Sequence, residues 1–163
     1  MALLLTEQVV ELRPYNKKPG AVTWEECSLR GYLNTTFTRY FSNDEISIIV
    51  KSLISNEANL WSGVKGGQAT DDYFFLLSLD EIDNYFDKSG YYRDKVIKRT
   101  NRITNSCDKD RAIIEPWWLR SPGKTSADAA FVTGGGCIYV GGQVVNSYDI
   151  GVRPAVWLSL KNP

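Results

Sequence analysis

The sequence has no histidine, one methionine and three cysteines among its 163 residues. Without histidine, the chain lacks the commonest general base and the commonest protein ligand of transition metals. Cys27, Cys107 and Cys137 lie too far apart in the sequence to form the paired spacing of a zinc site. We therefore expect no metal and no cofactor. Three reduced structural thiols are favoured, while one disulfide with a spare thiol stays open.

Excess charge and long apolar runs are also lacking. Nineteen Lys and Arg residues balance nineteen Asp and Glu residues, which argues against a nucleic-acid partner. No apolar stretch reaches the ~20 residues of a membrane-spanning helix. Met1–Leu5 is too short for a signal peptide and lacks its basic start. The length suits one domain over residues 1–163, and the strand-like start suggests that this domain is a piece of a longer protein.

The carboxy-terminal third has the pattern of short β-strands. Segments rich in β-branched and aromatic residues occupy positions 129–145, and glycine clusters at 134–136 and 141–142 divide them. A Gly-Gly pair between apolar runs is typical of a two-residue hairpin. The pattern predicts an antiparallel β-meander after Trp117, with a last strand over Val152–Leu160.

The amino-terminal half carries helix signals instead. Thr23, Ser42 and Ser78 are each followed three residues later by glutamate, the sequence signature of a capping box. Helical spacing of apolar residues then predicts one helix over 24–40 and a second that ends near Ser55. A break at Asn34–Thr36 is expected in the first helix, and a short third helix is expected after Ser78.

The remaining segments complete an α+β prediction. Residues 2–10 predict one strand, and the apolar run 73–77 predicts a strand that is buried on both faces. The polar and basic segment 91–110 is expected to be a long connecting loop with a helical turn. Helices thus occupy the first half and most of the sheet the second half, which is the α+β arrangement.

Four sequence blocks together resemble an uncharacterised domain family of gut bacteria and their phages: residues 24–34, 74–78, 117–123 and 151–155. Such domains resemble the C-type-lectin-like fold in the version shared with formylglycine-generating enzymes, and some resemble variable proteins diversified by retroelements. The resemblance implies helices that flank a twisted, mostly antiparallel sheet, with ligand-facing loops in the carboxy-terminal meander. It also favours a cell-surface, secreted or phage-associated location over the cytoplasm.

Six side chains are candidate ligand contacts in this block: Trp118, Arg120, Tyr139, Asn146, Tyr148 and Asp149. Tryptophan and arginine together would form a stacking and hydrogen-bonding platform. A core tryptophan and a structural ion pair are the alternatives for these two. The other four residues are of the types that build adaptable recognition surfaces, and they are also ordinary turn residues.

Two further features favour structural roles. Arg153, which precedes Pro154, is expected to be a buried arginine that braces the sheet. Asp80 and Asp83 are acids of the kind that stabilise the first turn of a helix, and the calcium motifs of lectins are missing, so calcium is not expected.

We therefore expect a non-catalytic recognition module that binds a protein or a glycan through its carboxy-terminal hairpin loops. One alternative is a catalytic relative of the formylglycine-generating enzymes that uses Cys107 or Cys137. The other alternative is a purely structural domain. A shared fold does not decide among these functions.

Overall fold

The computed structural model describes residues 1–85, 98–99, 115–134 and 137–160. The helices in this part of the chain are α1 (Ser28–Leu33), a 3-10 helix (Phe37–Tyr40), α2 (Asn43–Ile48) and α3 (Leu79–Tyr85). The strands are β1 (Ala2–Leu5), β2 (Glu11–Leu12), β3 (Ile49–Val50), β4 (Ser52–Ile54), β5 (Thr70–Asp72), β6 (Phe74–Phe75), β7 (Lys98–Arg99), β8 (Trp117–Pro122), β9 (Asp128–Val132), β10 (Cys137–Val144), β11 (Gly151–Val152) and β12 (Ala155–Leu158). These short helices and mostly antiparallel strands confirm the α+β prediction.

The strands form two larger sheets and one two-stranded pair. The first sheet has the order β2-β11-β8-β9-β10-β7, and only its β8–β11 contact is parallel among these pairs. In the second sheet, β12 pairs with β1 along one edge and with β3 and β6 along the other. Strands β4 and β5 pair with each other. The antiparallel meander β8-β9-β10 confirms part of the predicted meander, but the predicted last strand does not join it, because β11 pairs with β8 in parallel and β12 lies in the second sheet.

The glycine pair at 141–142 is a break in strand register and not the predicted hairpin turn. Strand β10 runs without interruption from Cys137 to Val144. From Tyr139 to Gln143 it advances four positions, whereas its partner β9 advances two, from Phe131 to Ala129. Such extra residues bend a strand and re-aim its side chains. The two predicted strands on either side of the glycines are therefore one bulged strand.

The helix predicted over 24–40 is much shorter in the structure. It begins at Ser28, where the Cys27 sulfur accepts a hydrogen bond from the Arg30 N–H. Trp24 lies before the helix in a turn, fully buried, with its indole Nε1 donating to Asp72 at 2.9 Å. Burial of Trp24 therefore overrides the local capping signal at Thr23. The break expected at Asn34–Thr36 is confirmed, and the 3-10 helix follows it.

The other two capping boxes are confirmed. Ser42 and Glu45 exchange hydrogen bonds at the start of α2, and Ser78 and Glu81 do so at the start of α3. The prediction that α2 continues to near Ser55 is wrong, because the chain becomes extended at Ile49 and forms β3 and β4. β-branched residues such as Ile49 and Val50 suit a pleated sheet. The third predicted helix is α3, and residues 86–97 after it lie outside the described residues.

Neither predicted terminal strand forms as one continuous strand. Residues 2–10 were predicted as one strand, but β1 ends at Leu5, and β2 begins only at Glu11 in the other sheet. The strand predicted over Val152–Leu160 is interrupted at Arg153-Pro154, which separates β11 from β12. The interruption has a local cause, because Pro154 has no backbone N–H to donate to a neighbouring strand. Of the loop predicted over 91–110, residues 98–99 form β7, and the rest lie outside the described residues.

Candidate functional site

Trp118 and Arg120 are held inside the protein. Trp118 is fully buried, and its indole Nε1 donates to the carbonyl oxygen of Arg13 at 2.9 Å. Arg120 is only 4% exposed. Neither side chain is available to a ligand in this structure, which corrects the expectation that the two form a binding platform.

The guanidinium of Arg120 joins three segments of the chain. It pairs with both carboxylate oxygens of Glu81, with Nη2 lying 3.0 Å from Oε1. It also donates to the carbonyl oxygens of Ser55 and Leu76. A buried charge is tolerated when it is paired and its donors are satisfied. The arrangement matches the structural ion pair that the sequence left open.

The other four candidate residues remain at the surface, but in two separate places. Tyr139 is 42% exposed near the start of β10. Residues 146–149 follow the end of β10, where Tyr148 is 65% exposed, Asp149 is exposed and Asn146 is half-buried. A strand rises about 3.3 Å per residue, so the two places are more than about 10 Å apart. They do not form one cluster.

An aromatic row crosses the first sheet and ends at Tyr139. Trp118, Phe131 and Tyr139 occupy paired positions on β8, β9 and β10. Their ring centroids are 6.3 Å and 5.4 Å apart, and the rings meet edge to face. Cross-strand aromatic pairs of this kind stabilise a sheet. Trp118 thus supports the exposed Tyr139 from inside the core, through the half-buried Phe131.

The rings of Trp61 and Tyr139 both approach Gly141, which is itself buried. A Cβ atom placed on Gly141 would lie 3.5 Å from Cζ3 of Trp61 and 3.6 Å from Cε1 of Tyr139. Trp61 as a residue is half-buried. We call Trp61, Phe131 and Tyr139, together with the Gly141 backbone between them, the aromatic surface.

Asn59 anchors the loop that carries Trp61. It is 1% exposed, and its Nδ2 donates to the carbonyl oxygens of Pro122 at 2.8 Å and Val140 at 2.9 Å. Its Oδ1 accepts from the backbone N–H of Trp61 at 3.0 Å. The same side chain therefore holds the Trp61 backbone against β8 and against β10, the strand that carries Tyr139. A satisfied buried amide of this kind fixes one loop conformation.

Glycines allow the strands beneath the aromatic surface to approach closely. Gly142 has φ +74°, and a Cβ atom there would lie 2.5 Å from the carbonyl oxygen of Ala129. A Cβ atom on Gly123 would lie 2.5 Å from the carbonyl oxygen of Gly141. The N–H of Lys124 donates to that same carbonyl at 2.7 Å. The backbone below Trp61 and Tyr139 is therefore fixed by close packing and by hydrogen bonds.

The sequence indicated only part of this surface. It marked Tyr139 as a candidate contact, and Trp61 was not among the six candidates. It did not place Trp61 at the same glycine as Tyr139, because the hydrogen bonds of Asn59 reach residues 63 to 81 positions away. An asparagine two residues before a loop tryptophan was the available signal, since Asn side chains commonly bond to nearby backbone in turns.

The cysteine of the described amino-terminal half is a poor nucleophile. Cys27 is 3% exposed, and burial raises the pKa of its thiol to about 12. A thiol with a raised pKa carries little of the reactive thiolate at neutral pH. Cys137 is half-exposed on β10, and Cys107 lies outside the described residues. The catalytic alternative that uses Cys107 or Cys137 stays a prediction.

The described residues offer neither a metal centre nor a membrane-spanning helix. No group of three or more His, Cys, Asp or Glu side chains there is arranged to hold a metal ion. The helices of the described segments all fall short of the length and hydrophobicity that a membrane crossing requires.

The fold and the aromatic surface define an α+β domain with an exposed, rigidly supported patch of aromatic rings. The chain belongs to the family described as "Domain of unknown function (DUF6273)", whose model matches residues 1–160. A search of curated proteins and a search of solved structures each found no match.

Proposed function

We propose that this chain is a non-catalytic recognition module, C-type-lectin-like in type, that binds a protein or a glycan through the aromatic surface. The observation that carries the proposal is the convergence of Trp61 and Tyr139 on Gly141. Two partly exposed rings beside a side-chain-free backbone offer apolar faces, on which sugar rings or partner side chains stack. Rigid aromatic side chains also lose little conformational entropy on binding.

The support beneath the rings favours recognition over a purely structural role. Asn59 uses both its donor and its acceptor atoms to hold the Trp61 loop against β10. Binding sites gain affinity when they are held in the bound conformation before the ligand arrives. Tyr139 on β10 is 42% exposed, so its ring is accessible to a partner.

The turn at 146–149 is a second, separate contact region within the same proposal. Tyr148 and Asp149 are exposed there, in a turn stabilised by the N–H of Ser147 donating to the carbonyl oxygen of Val144 at 3.0 Å. Because this turn lies at the opposite end of β10 from Tyr139, a small ligand cannot contact both regions. An extended glycan or a protein surface can.

The experiment is a glycan array, run in parallel with a displayed peptide library, using the full chain and single variants. Trp61→Ala and Tyr139→Ala should each weaken binding of any ligand found by about tenfold or more, as expected for stacked aromatic contacts. Tyr40→Ala is the matched control, since Tyr40 is 74% exposed on the 3-10 helix. Replacement of Tyr148 and Asp149 by alanine tests whether the turn at 146–149 also contributes to binding. Undiminished binding by the Trp61→Ala, Tyr139→Ala double variant, with its fold intact, would overturn the proposal.

A further inference from the structure

Gln143 follows the glycine pair on β10 and shares a face of the sheet with Tyr139. It is exposed, and its cross-strand partner on β9 is Ala129. Tyr139 is paired with Phe131, two positions further along β9. Directly paired residues of an antiparallel ladder place their side chains on the same face, and so do residues two apart on one strand. Gln143 therefore lies on the face that carries Phe131 and Tyr139.

The break in strand register brings Gln143 close to Tyr139. Four residues of a regular strand span about 13 Å. The β9 partners of these two residues, however, are only two positions apart, which corresponds to about 7 Å. Gly142 takes up part of the surplus length, with φ +74° and with its backbone close against the carbonyl oxygen of Ala129. The bulge thus places an amide side chain beside the aromatic surface, at a spacing that a single sugar ring can bridge.

The side chain of Gln143 is suited to hydroxyl groups. Its amide oxygen accepts hydrogen bonds, and its NH₂ group donates two. Within the described part of the chain, no residue bonds to this amide. Neighbouring hydroxyl groups of a sugar each donate and accept, so one planar amide can bond to two of them while the apolar face of the sugar stacks on an aromatic ring.

Resting on the recognition function proposed above, we infer that the aromatic surface binds a neutral sugar unit of a glycan, and that Gln143 is the residue that determines which sugar is bound. The sugar ring stacks on Tyr139, and the Gln143 amide bonds to hydroxyl groups at the edge of the ring. The paired positions on this face of β8, β9 and β10 carry no charged side chain, which favours a neutral ligand: Trp118, Pro122, Ala129, Phe131, Tyr139 and Gln143.

The small extent of the surface favours a glycan over a protein. A stable protein interface buries about 800 Å² on each partner and involves about 20–30 residues a side. Here Tyr139 and Gln143 are exposed, whereas Trp61 and Phe131 are half-buried and Gly141 is buried. A few side chains of this kind match one sugar ring and its hydroxyl groups.

Affinity electrophoresis in native gels tests the class of ligand with defined probes. Separate gels contain a neutral β-glucan, galactan or mannan, the acidic polysaccharide polygalacturonate, or gelatin. The acidic probe is included because Lys124, whose N–H donates to the carbonyl oxygen of Gly141, is exposed. At least one neutral polysaccharide should retard the chain, and Tyr139→Ala should abolish the retardation. Retardation by polygalacturonate or gelatin alone, or by none of the probes, would overturn the assignment of a neutral sugar.

The variant Gln143→Leu tests the specificity role. It removes the hydrogen-bonding groups at an exposed position and should weaken binding to the retarding polysaccharide by about fivefold. It should also reduce the preference among glucose, galactose and mannose as competitors, because the latter two each differ from glucose in the orientation of one hydroxyl group. Gln8→Leu is the matched control, since Gln8 is exposed between β1 and β2, and it should change neither measurement.

The variants separate a failure of this inference from a failure of the recognition function. Binding that requires Tyr139 but keeps its affinity and sugar preference in Gln143→Leu would refute the role of Gln143 and leave the recognition function standing. The same holds for gelatin or polygalacturonate binding that Tyr139→Ala abolishes, which would refute only the neutral sugar. Binding that neither variant affects would contradict both the inference and the use of the aromatic surface.

Discussion

The guanidinium of Arg153 donates to the carbonyl oxygen of Thr6 from Nε at 2.9 Å and from Nη2 at 2.6 Å. Thr6 lies opposite Pro154 in the register of β1 and β12, and proline has no N–H to give that carbonyl. Arg153 replaces the missing donor, and its charge lies over the ring of Trp117 at 4.7 Å. Burial lowers the pKa of Arg153 to about 10, so the guanidinium remains protonated at neutral pH.

Replacement of Arg153 by lysine should therefore weaken the junction of β1 with β12. A single ammonium group cannot reproduce the paired donors or the planar stacking on Trp117. We expect Arg153→Lys to lower the free energy of unfolding by about 2 kcal/mol, the usual range for a hydrogen bond to a charged group. Urea denaturation measures this loss. Arg39→Lys, at an exposed position, should change little. Equal urea-denaturation midpoints for Arg153→Lys and Arg39→Lys would contradict the assigned role of Arg153.

Asn59→Asp should release the loop that carries Trp61. The substitution keeps the acceptor for the Trp61 N–H, but it turns the donor nitrogen into an oxygen that faces the carbonyls of Pro122 and Val140. Unmatched buried acceptors of this kind cost about 3 kcal/mol of stability. Increased quenching of tryptophan fluorescence by acrylamide, relative to the wild-type chain, reports the release, because Trp24, Trp117 and Trp118 are fully buried in the core. Asn43→Asp, at an exposed helix start, is the control.

The adjacent glycines Gly141 and Gly142 should respond differently to replacement by alanine. At Gly142, positive φ and the close Ala129 carbonyl should make Gly142→Ala destabilising by about 2 kcal/mol or more. At Gly141, a methyl group would meet the Trp61 and Tyr139 rings at ordinary contact distances, so Gly141→Ala should fold normally. Thermal melts of the two variants decide the point. A strongly destabilised Gly141→Ala would mean that the rings and the backbone are packed more tightly than the structure has them.

Cys27 should make stability fall with pH in the alkaline range. Burial raises the pKa of its thiol from 9.0 to about 12, so between these values the folded chain holds a proton that the unfolded chain releases. The contribution is fully present below pH 9 and is lost as the pH rises toward 12. The slope is about 1.4 kcal/mol per pH unit for one proton.

A comparison with Cys27→Ala checks this expectation, since the tyrosines titrate in both proteins. The difference in unfolding free energy between wild type and Cys27→Ala should shrink as the pH rises from 9 to 12. Peptide-resolved alkylation gives a second measurement, in which Cys27 is labelled only after denaturation. A constant difference over this pH range, or ready labelling of Cys27 in the folded protein, would contradict its burial as a neutral thiol.

Several local patterns were reliable where both partners of an interaction lie within one turn of the chain, although the capping pattern at Thr23 was not. The capping boxes at Ser42 and Ser78 formed, because each joins residues three positions apart. The break at Asn34–Thr36 formed for a similar reason, since Asn34 bonds back to Arg30. The meander of short strands after Trp117 also followed from local composition. The α+β class could therefore be predicted from the sequence.

Tertiary contacts decided the rest. Thr23 carries the same capping signal as Ser42, yet no helix starts there. The reason is that Trp24 is buried in the core, where its indole N–H donates to Asp72. The 141–142 glycines became a bulge because β9 passes close to them. The rings of Trp61 and Tyr139 both approach Gly141 because Asn59 bonds to carbonyl groups that are distant in sequence. By itself the sequence determined which short segments turn, cap or extend. The positions of side chains that are distant in sequence depended on burial and on long-range hydrogen bonds, which exist only in the folded chain.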